Sequence, residues 1–251
     1  MGIGKEEIKL DLVTLGESME PILSLVTGTL NRRESFRRLY ETIASRTNVP
    51  WEMIVSDASD SPYPDQYPEN VVFLPERPRV CCVHGYNMAF ARARGRWVIW
   101  LNDDAEVMPG YATNSIEFME KHSDVGLGAL YYAEQVLPYQ INYYNGMPYA
   151  NFGIIRRELG DHLCWFDDVV KMYGNDNSLT FKVLLEGYGV VGIPNARVWH
   201  HRVMDKYKID NQQLRNSDSR KLMAKYGQVI PHMQAVSRRF DHLQSPAILH
   251  E

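Results

Sequence analysis

Two adjacent aspartates follow a short apolar segment near the middle of the chain. Residues 97–101 are all apolar, and Asn102, Asp103 and Asp104 come directly after them. An apolar run of this length suits a buried strand, and open α/β sheets bind ligands beyond the carboxyl ends of their strands. Because carboxylate oxygens are the ligands that Mg²⁺ and Mn²⁺ prefer, the pattern predicts a divalent-cation site that could neutralise a diphosphate. A solvated acidic turn is the alternative.

Two other predicted strands also end in polar clusters. Residues 22–26 run into a Thr-Gly-Thr turn and a predicted helix over 33–45, and residues 51–55 run into Ser-Asp-Ala-Ser-Asp. A short strand over 71–74 and a helix over 83–94 precede the strand that carries the aspartates. This alternation predicts an α/β fold with a parallel, doubly wound sheet. The three polar clusters are therefore expected at one edge of that sheet.

The composition excludes several classes of protein. The chain has 251 residues, 45% of them hydrophobic, and a net charge of −4, so it has room for a large core and no basic field for nucleic acid. Three cysteines are too few for a disulfide framework and fit a reducing compartment. No apolar run has the length of a membrane span, and the N-terminus lacks a signal-peptide core. We therefore expect a cytoplasmic protein without an integral membrane segment, with peripheral contact to a membrane left open.

The second half of the chain places an aspartate at a helix start and a histidine at the end of a strand. Gly-Asn-Asp at 174–176 begins a predicted helix up to residue 186. Asn175 or Asp176 could cap this helix, and a capping role would not prevent Asp176 from being a reacting carboxylate. Residues 188–193 and 196–200 are predicted to be extended, and His200 ends the second of these segments.

Two further regions have less specific patterns. The stretch 131–149 holds six tyrosines, which could stack on a sugar or a base or form a half-buried wall against the sheet. Residues from about 206 onward are polar, with a predicted helix over 211–226 and a tail from Pro231.

These stretches together resemble the family-2 glycosyltransferases of the GT-A fold, over about residues 22–201. Four segments carry the resemblance: SLVTGTLNRRES, WEMIVSDASDS, GYNMAFARARGRWVIWLNDDAEVMPG and FDDVVKMYGNDNSLTFKVLLEGYGVVGIPNARVWHH. The resemblance implies a mixed, mostly parallel sheet flanked by helices. It also implies one GT-A domain over 1–205, with a nucleotide-binding half at about 20–105 and an acceptor half at about 106–205. Residues 206–251 would then be a C-terminal helical extension and tail.

The resemblance implies inverting transfer of a hexosyl or deoxyhexosyl unit from a nucleoside-diphosphate sugar to an acceptor hydroxyl. Asp104 matches the carboxylate that holds the metal, and His200 matches the closing histidine, so both are expected to bind Mn²⁺ or Mg²⁺. Asp176 matches the general base. Asp57 matches the residue that contacts the base, which favours a UDP or dTDP donor and leaves GDP open. The acceptor is a glycan, a lipid-linked sugar or a protein, and the oligomeric state is unknown.

Further site residues follow from the same resemblance. The expected nucleotide-binding residues are Thr27, Thr29, Asn31, Arg32, Asp57, Arg79 and Asp103. The expected acceptor-binding residues are Trp165 and Asp168, with core packing and a turn as their respective alternatives.

Three positions depart from the family pattern, because Asn102, Asn175 and Ser178 stand where acidic residues are usual. These departures keep a second hypothesis open, a non-catalytic module that binds a sugar nucleotide or a glycan. A nucleotidyltransferase is a third hypothesis. Such an enzyme would require a first loop rich in glycine and basic residues, whereas TGTLNRR has a single glycine.

Overall fold

The computed structural model describes residues 20–61, 63, 66–133 and 141–244. In chain order, its first elements are β1 (Leu23–Thr29), α1 (Arg33–Arg46), β2 (Trp51–Asp57), β3 (Val71–Pro75), α2 (Cys82–Phe90), β4 (Trp97–Asn102), β5 (Ala105–Val107), α3 (Tyr111–Lys121) and β6 (Val125–Tyr132). They are followed by β7 (Asn142–Tyr144), β8 (Met147–Tyr149), β9 (Gly153–Arg156), α4 (Arg157–His162), α5 (Asn175–Leu185), β10 (Gly189–His200), α6 (Lys206–Asn211), α7 (Leu214–Tyr226) and α8 (Ile230–Arg238).

Within the described residues, eight strands form one sheet in the order β3-β2-β1-β4-β9-β6-β10-β5. Strands β3, β2, β1 and β4 are parallel neighbours, and β6 and β10 are parallel to each other. Strand β9 runs antiparallel to both β4 and β6, and β5 runs antiparallel to β10. The prediction of a mixed, mostly parallel sheet flanked by helices is thus confirmed.

The central strands are buried on both faces, as expected for a parallel sheet covered by helices. Residues 97–101 of β4 and all of β6 are buried. On α1, Phe36, Leu39 and Ile43 are all fully buried, at the helical spacing seen in the sequence. Close packing between β6 and β10 requires glycine at Gly128, because a Cβ there would lie 2.2 Å from a methyl carbon of Ile193.

Two predicted elements differ in extent from the observed ones. The helix predicted over 83–94 ends at Phe90, and the chain then turns so that the Gly95 amide donates to the Ser24 hydroxyl at 2.8 Å. The extended segments predicted over 188–193 and 196–200 form the single strand β10. An irregularity in its pairing with β6, around Asn195 with φ 62°, explains the break in the pattern.

The predicted tail from Pro231 is wrong for residues up to 244. Helix α8 contains Pro231 in its first turn, where proline starts a helix rather than ending one. Met233, Val236 and Phe240 are buried, and Phe240 packs over Gly189 at the start of β10. The helix predicted over 211–226 is observed as α7, and the short helix α6 precedes it. Residues 1–19, the end of the predicted tail and Tyr139 lie outside the described residues.

None of the helices among the described residues has both the length and the apolar character needed to cross a membrane.

Candidate active site

A cleft of about 700 Å³ opens at the carboxyl edge of the parallel strands. The β1–α1 turn, the end of β4, the start of α5 and the end of β10 all line it. Of the residues predicted to be functional, seven line this cleft: Thr29, Arg32, Arg79, Asp103, Asp104, Asp176 and His200. Residues far apart in the sequence thus share one cavity, as the convergence of polar strand ends predicted.

Asp103 is a buried carboxylate held by the first βα unit. Its Oδ2 accepts a hydrogen bond from the Thr29 hydroxyl at 3.0 Å, and its Oδ1 accepts one from Arg32 Nη1 at 3.1 Å. Burial raises the pKa of Asp103 to about 6, although the Arg32 guanidinium opposes the shift. The side chain therefore connects the end of β4 to the turn that begins α1.

Asp104 and His200 lie side by side in the cleft. His200 Nε2 is 3.2 Å from Asp104 Oδ1, and the Val203 amide donates to Asp104 Oδ2 at 2.8 Å. Burial alone would raise the pKa of Asp104, but the hydrogen bond and charge of His200 lower it below its usual value. An anionic carboxylate beside an imidazole nitrogen suits a divalent cation such as Mn²⁺.

The protein offers only a partial ligand set for that cation. Among the described residues, no group of three or more histidine, cysteine or acidic side chains could by itself hold a metal ion. Asp104 and His200 supply two ligands, so oxygen atoms of a bound diphosphate and water would have to complete the shell. Such a partial ligand set fits a cation that is bound together with a nucleotide.

Asp176 lies in the first turn of α5 and lines the cleft. Gly174, with φ 84°, is the N-cap of α5, and no side chain caps the helix, so the alternative that Asn175 or Asp176 is a capping residue is wrong. Burial raises the pKa of Asp176 to about 8, although a hydrogen bond with Trp100 opposes the shift. A carboxylate with such a pKa is suited to accept a proton near neutral pH.

Arg32 bridges two carboxylates at the mouth of the cleft. Its Nε donates to Asp205 Oδ2 at 2.7 Å, and its Nη1 donates to Asp103. The neighbouring Asn31 has φ 57°, and its side-chain amide donates to Asp60 and to the hydroxyl of Tyr207. The predicted nucleotide residues of this turn are therefore already linked to the segment that follows β10.

The remaining predicted nucleotide residues lie in different positions. Arg79 is exposed at the cleft, 6.0 Å from the ring of Tyr207. Asp57 ends β2 and accepts a hydrogen bond from the Ser59 amide, while its neighbours at 56 and 58 line the cleft. Thr27 is fully buried outside the cleft, and its hydroxyl has no hydrogen-bond partner among the described residues.

The two predicted acceptor residues lie outside the cleft. Trp165 is 6% exposed and is stacked on Phe90, with 4.3 Å between ring centroids, and its Nε1 donates to Asp161. These contacts favour core packing, the alternative to the predicted stacking of Trp165 on an acceptor sugar. Asp168 is exposed on the surface and does not line the cleft.

Several cleft residues were not predicted from the sequence. Those from the segment after β10 include Tyr207, Lys208, Asn211, Arg215 and Leu222, and those from the tyrosine-rich stretch include Tyr144 and Tyr149. The polar segment after residue 205 has a composition that also fits a solvated surface, so its sequence carried no signal for a site. Of the tyrosines in the stretch 131–149 that the structure describes, Tyr144 and Tyr149 line the cleft.

Comparison with known proteins identifies the fold. The structure is similar to "Mannosyltransferase PcManGT from Pyrobaculum calidifontis in complex with GDP-Man and Mn2+", with a TM-score of 0.63 and 18% identity. The match covers 86% of this chain and 68% of that one. A weaker likeness is to Staphylococcus aureus TarS, with a TM-score of 0.48, 16% identity, and coverage of 64% of this chain and 33% of that one. No curated protein matches the chain in sequence.

The first of these likenesses establishes a GT-A glycosyltransferase fold. The family model for "Glycosyl transferase family 2" matches residues 24–173, which is more than half of the chain. That range includes the β1–α1 turn and the aspartates that follow β4. The chain belongs to glycosyl transferase family 2.

Proposed function

We propose that this family-2 glycosyltransferase is an inverting, metal-dependent enzyme. It transfers a hexosyl or deoxyhexosyl unit from a nucleoside-diphosphate sugar to an acceptor hydroxyl, with Asp176 as the general base. The observation that carries the proposal is that Asp103, Asp104, His200 and Asp176 line a single cleft. In this proposal the nucleotide side of the cleft belongs to residues 20–105 and the acceptor side to residues 106–205.

The donor site is assigned to the β1–α1 turn and the end of β4. Arg32 would exchange its contact with Asp205 for the donor's diphosphate, where charge-assisted hydrogen bonds are strong. The match of Asp57 to a base-contacting residue favours UDP or dTDP. Because the similar Pyrobaculum enzyme is titled as a complex with GDP-Man, a GDP-linked sugar belongs in the first test as well.

Mn²⁺ or Mg²⁺ is the proposed cofactor, held by Asp104 and His200. The pairing of a deprotonated carboxylate with an imidazole at 3.2 Å supports this assignment, and the Pyrobaculum enzyme is titled with Mn²⁺. A divalent cation at this position supplies Lewis-acid stabilisation of the charge that develops on the leaving diphosphate.

Asp176 is proposed to take the proton from the acceptor hydroxyl as its oxygen attacks the anomeric carbon. The bond from that carbon to the diphosphate breaks on the opposite face, so the configuration is inverted. Of the three aspartates that line the cleft, Asp176 is the one engaged neither with Arg32 nor with His200 among the contacts of the described residues, which supports this role. The acceptor class, a glycan, a lipid-linked sugar or a protein, stays open.

The test measures release of nucleoside diphosphate from UDP-glucose, UDP-N-acetylglucosamine, dTDP-rhamnose and GDP-mannose, with Mn²⁺ and with EDTA. We expect turnover of at least one donor with Mn²⁺, and loss of turnover with EDTA and in the Asp104→Ala variant. Asp124→Ala is the matched control, because Asp124 is exposed and lies just before β6 at the opposite edge of the sheet.

Thermal stability in the same mixtures separates binding from catalysis, because a ligand that binds only the folded state raises the melting temperature. If the nucleotides stabilise the protein but no donor is turned over, the protein is a binding module and the proposal fails. If turnover is the same with EDTA as with Mn²⁺, the metal assignment fails.

A further inference from the structure

The loop that leads into the Asp176 helix is held by a buried carboxylate from α7. Asp218 Oδ2 accepts hydrogen bonds from the amides of Met172 at 2.9 Å and Tyr173 at 3.0 Å. Met172, Tyr173 and Gly174 all line the cleft immediately before Asp176. One carboxylate oxygen therefore fixes two consecutive peptide groups at the entrance to α5.

Asp218 is only 1% exposed, and its other oxygen, Oδ1, has no hydrogen-bond partner among the described residues. Burying a carboxylate with half of its accepting capacity unused is costly. Among the hydrogen bonds and ion pairs of the described residues, Asp218 contacts the amides of Met172 and Tyr173 and no lysine or arginine. Its contacts are thus with the loop backbone, and a role in shaping that loop accounts for them.

Helix α7 holds the segment around Asp176 at three points along one face. Asp218, Leu222 and Lys225 have the spacing i, i+4 and i+7, which puts them on the same side of a helix. A methyl carbon of Leu222 lies beside Gly174, and Lys225 donates to Asp167 Oδ2 at 2.5 Å. The α7 face therefore spans the segment from Asp167 to Gly174, just ahead of the proposed base.

Helix α7 also lies outside residues 24–173, the range matched by the family model. Gly174, with φ 84°, makes the turn into α5 in a left-handed conformation. The two peptide groups before it set the direction in which α5 leaves the loop. A change in their position would move the Asp176 carboxylate relative to the end of β4.

We propose that Asp218 is a positioning residue for the reaction, which orients Asp176 through the Met172–Tyr173 backbone without touching substrate. This inference rests on the proposed function of Asp176. A displacement of a reacting group by about 1 Å can lower the rate about 100-fold. We therefore expect Asp218→Ala to lower kcat about 100-fold, while KM for the donor changes little because the Asp104 side of the cleft is untouched.

The conservative variant Asp218→Asn tests the mechanism. An asparagine carbonyl oxygen can accept the same two amide hydrogen bonds, although neutral hydrogen bonds are roughly half as strong as charge-assisted ones. We expect kcat of Asp218→Asn within about threefold of wild type. Phe240→Ala is the matched control for stability, because Phe240 packs at the other end of the C-terminal region, over Gly189.

Activity is measured with the four donors of the panel above, and hydrogen–deuterium exchange is measured on the full chain over residues 171–176. We expect faster exchange and a selective loss of kcat in Asp218→Ala, with neither in Asp218→Asn nor in Phe240→Ala. If kcat falls equally in Asp218→Ala and Phe240→Ala, or if KM changes as much as kcat in Asp218→Ala, the proposal is overturned. If wild type turns over no donor, the proposed function fails, and unchanged exchange in Asp218→Ala would separately overturn the positioning role.

Discussion

Replacing the proposed base with its neutral isostere should make the protein more stable while abolishing turnover. Asp176 lines an open cleft, and burial holds its pKa at about 8 rather than 3.8. The folded state thus retains a proton that the unfolded chain releases at acidic pH. The contribution of Asp176 to stability is fully present below the unfolded pKa and is lost as the pH rises through about 8. Asp176→Asn removes this loss, because an amide does not ionise.

The size of the gain follows from the shift in pKa. At pH 7 the difference between 3.8 in the unfolded chain and about 8 in the folded protein corresponds to a ceiling of about 4 kcal/mol. The side chain faces an open cleft, where water screens the charge, so we expect about half of that, roughly 2 kcal/mol. For a chain of this size the melting temperature should rise by about 4–8 °C.

The assay is a pair of thermal melts, wild type and Asp176→Asn, at intervals from pH 4 to pH 9. The gain in melting temperature should be small at pH 4, grow up to pH 8 and level off above it. Wild-type turnover should rise about tenfold between pH 7 and pH 9, as the base loses its proton. A variant no more stable than wild type at pH 8 would refute the argument about burial, and retained turnover would refute the role as base.

Three further outcomes are expected. Arg32→Ala should weaken binding of UDP or GDP about tenfold in calorimetry, because a charge-assisted contact to the diphosphate is lost. Asp167→Asn should lower the free energy of unfolding by about 2 kcal/mol at pH 7 in urea melts, because Lys225 loses its buried partner. Burial would raise the pKa of Asp167, but the contact with Lys225 lowers it below its usual value. The difference in unfolding free energy between wild type and Asp167→Asn should therefore disappear as the pH falls below about 4 and Asp167 takes up a proton. Gly160→Ala should cost about 1–3 kcal/mol in the same melts, since the added methyl would lie 2.3 Å from the Trp165 ring.

The first half of the fold was predictable because local pattern and tertiary structure agree there. Strands β1, β2 and β4 are short apolar runs, and each ends in a polar cluster at the sheet edge. The edge of the sheet that carries the cleft could be predicted without any contact information, since parallel strands end at the same edge. The resemblance to the family predicted that Asp104 and His200, which are far apart in the sequence, belong to one site, and both line the cleft.

Other features depend on contacts that no local pattern encodes. Trp165 was expected at the acceptor site, but Gly160 leaves space for its ring and Phe90 stacks on it. The region of helix α8 was predicted to be a tail, but Pro231 lies in the first turn of this helix and its buried residues pack on the sheet and α5. The segment from Asp205 onward is held beside the cleft by the ion pair of Asp205 with Arg32 and by the hydrogen bonds that Asp218 accepts from Met172 and Tyr173. Each of these contacts spans more than 40 residues.

The bond between Arg32 and Asp205 joins residues 173 positions apart, and the one between Asn31 and Tyr207 spans 176. Chains grow on the ribosome at about 5–20 residues per second, so the first βα unit is made long before residues 205–207, which contact it in the folded protein. Any Arg32–Asp103 contact formed during synthesis lacks Asp205 for roughly 5–20 seconds, the time needed to add the residues between Asp103 and Asp205. The mouth of the cleft around Arg32 is therefore completed only after residues 205–207 have been synthesised.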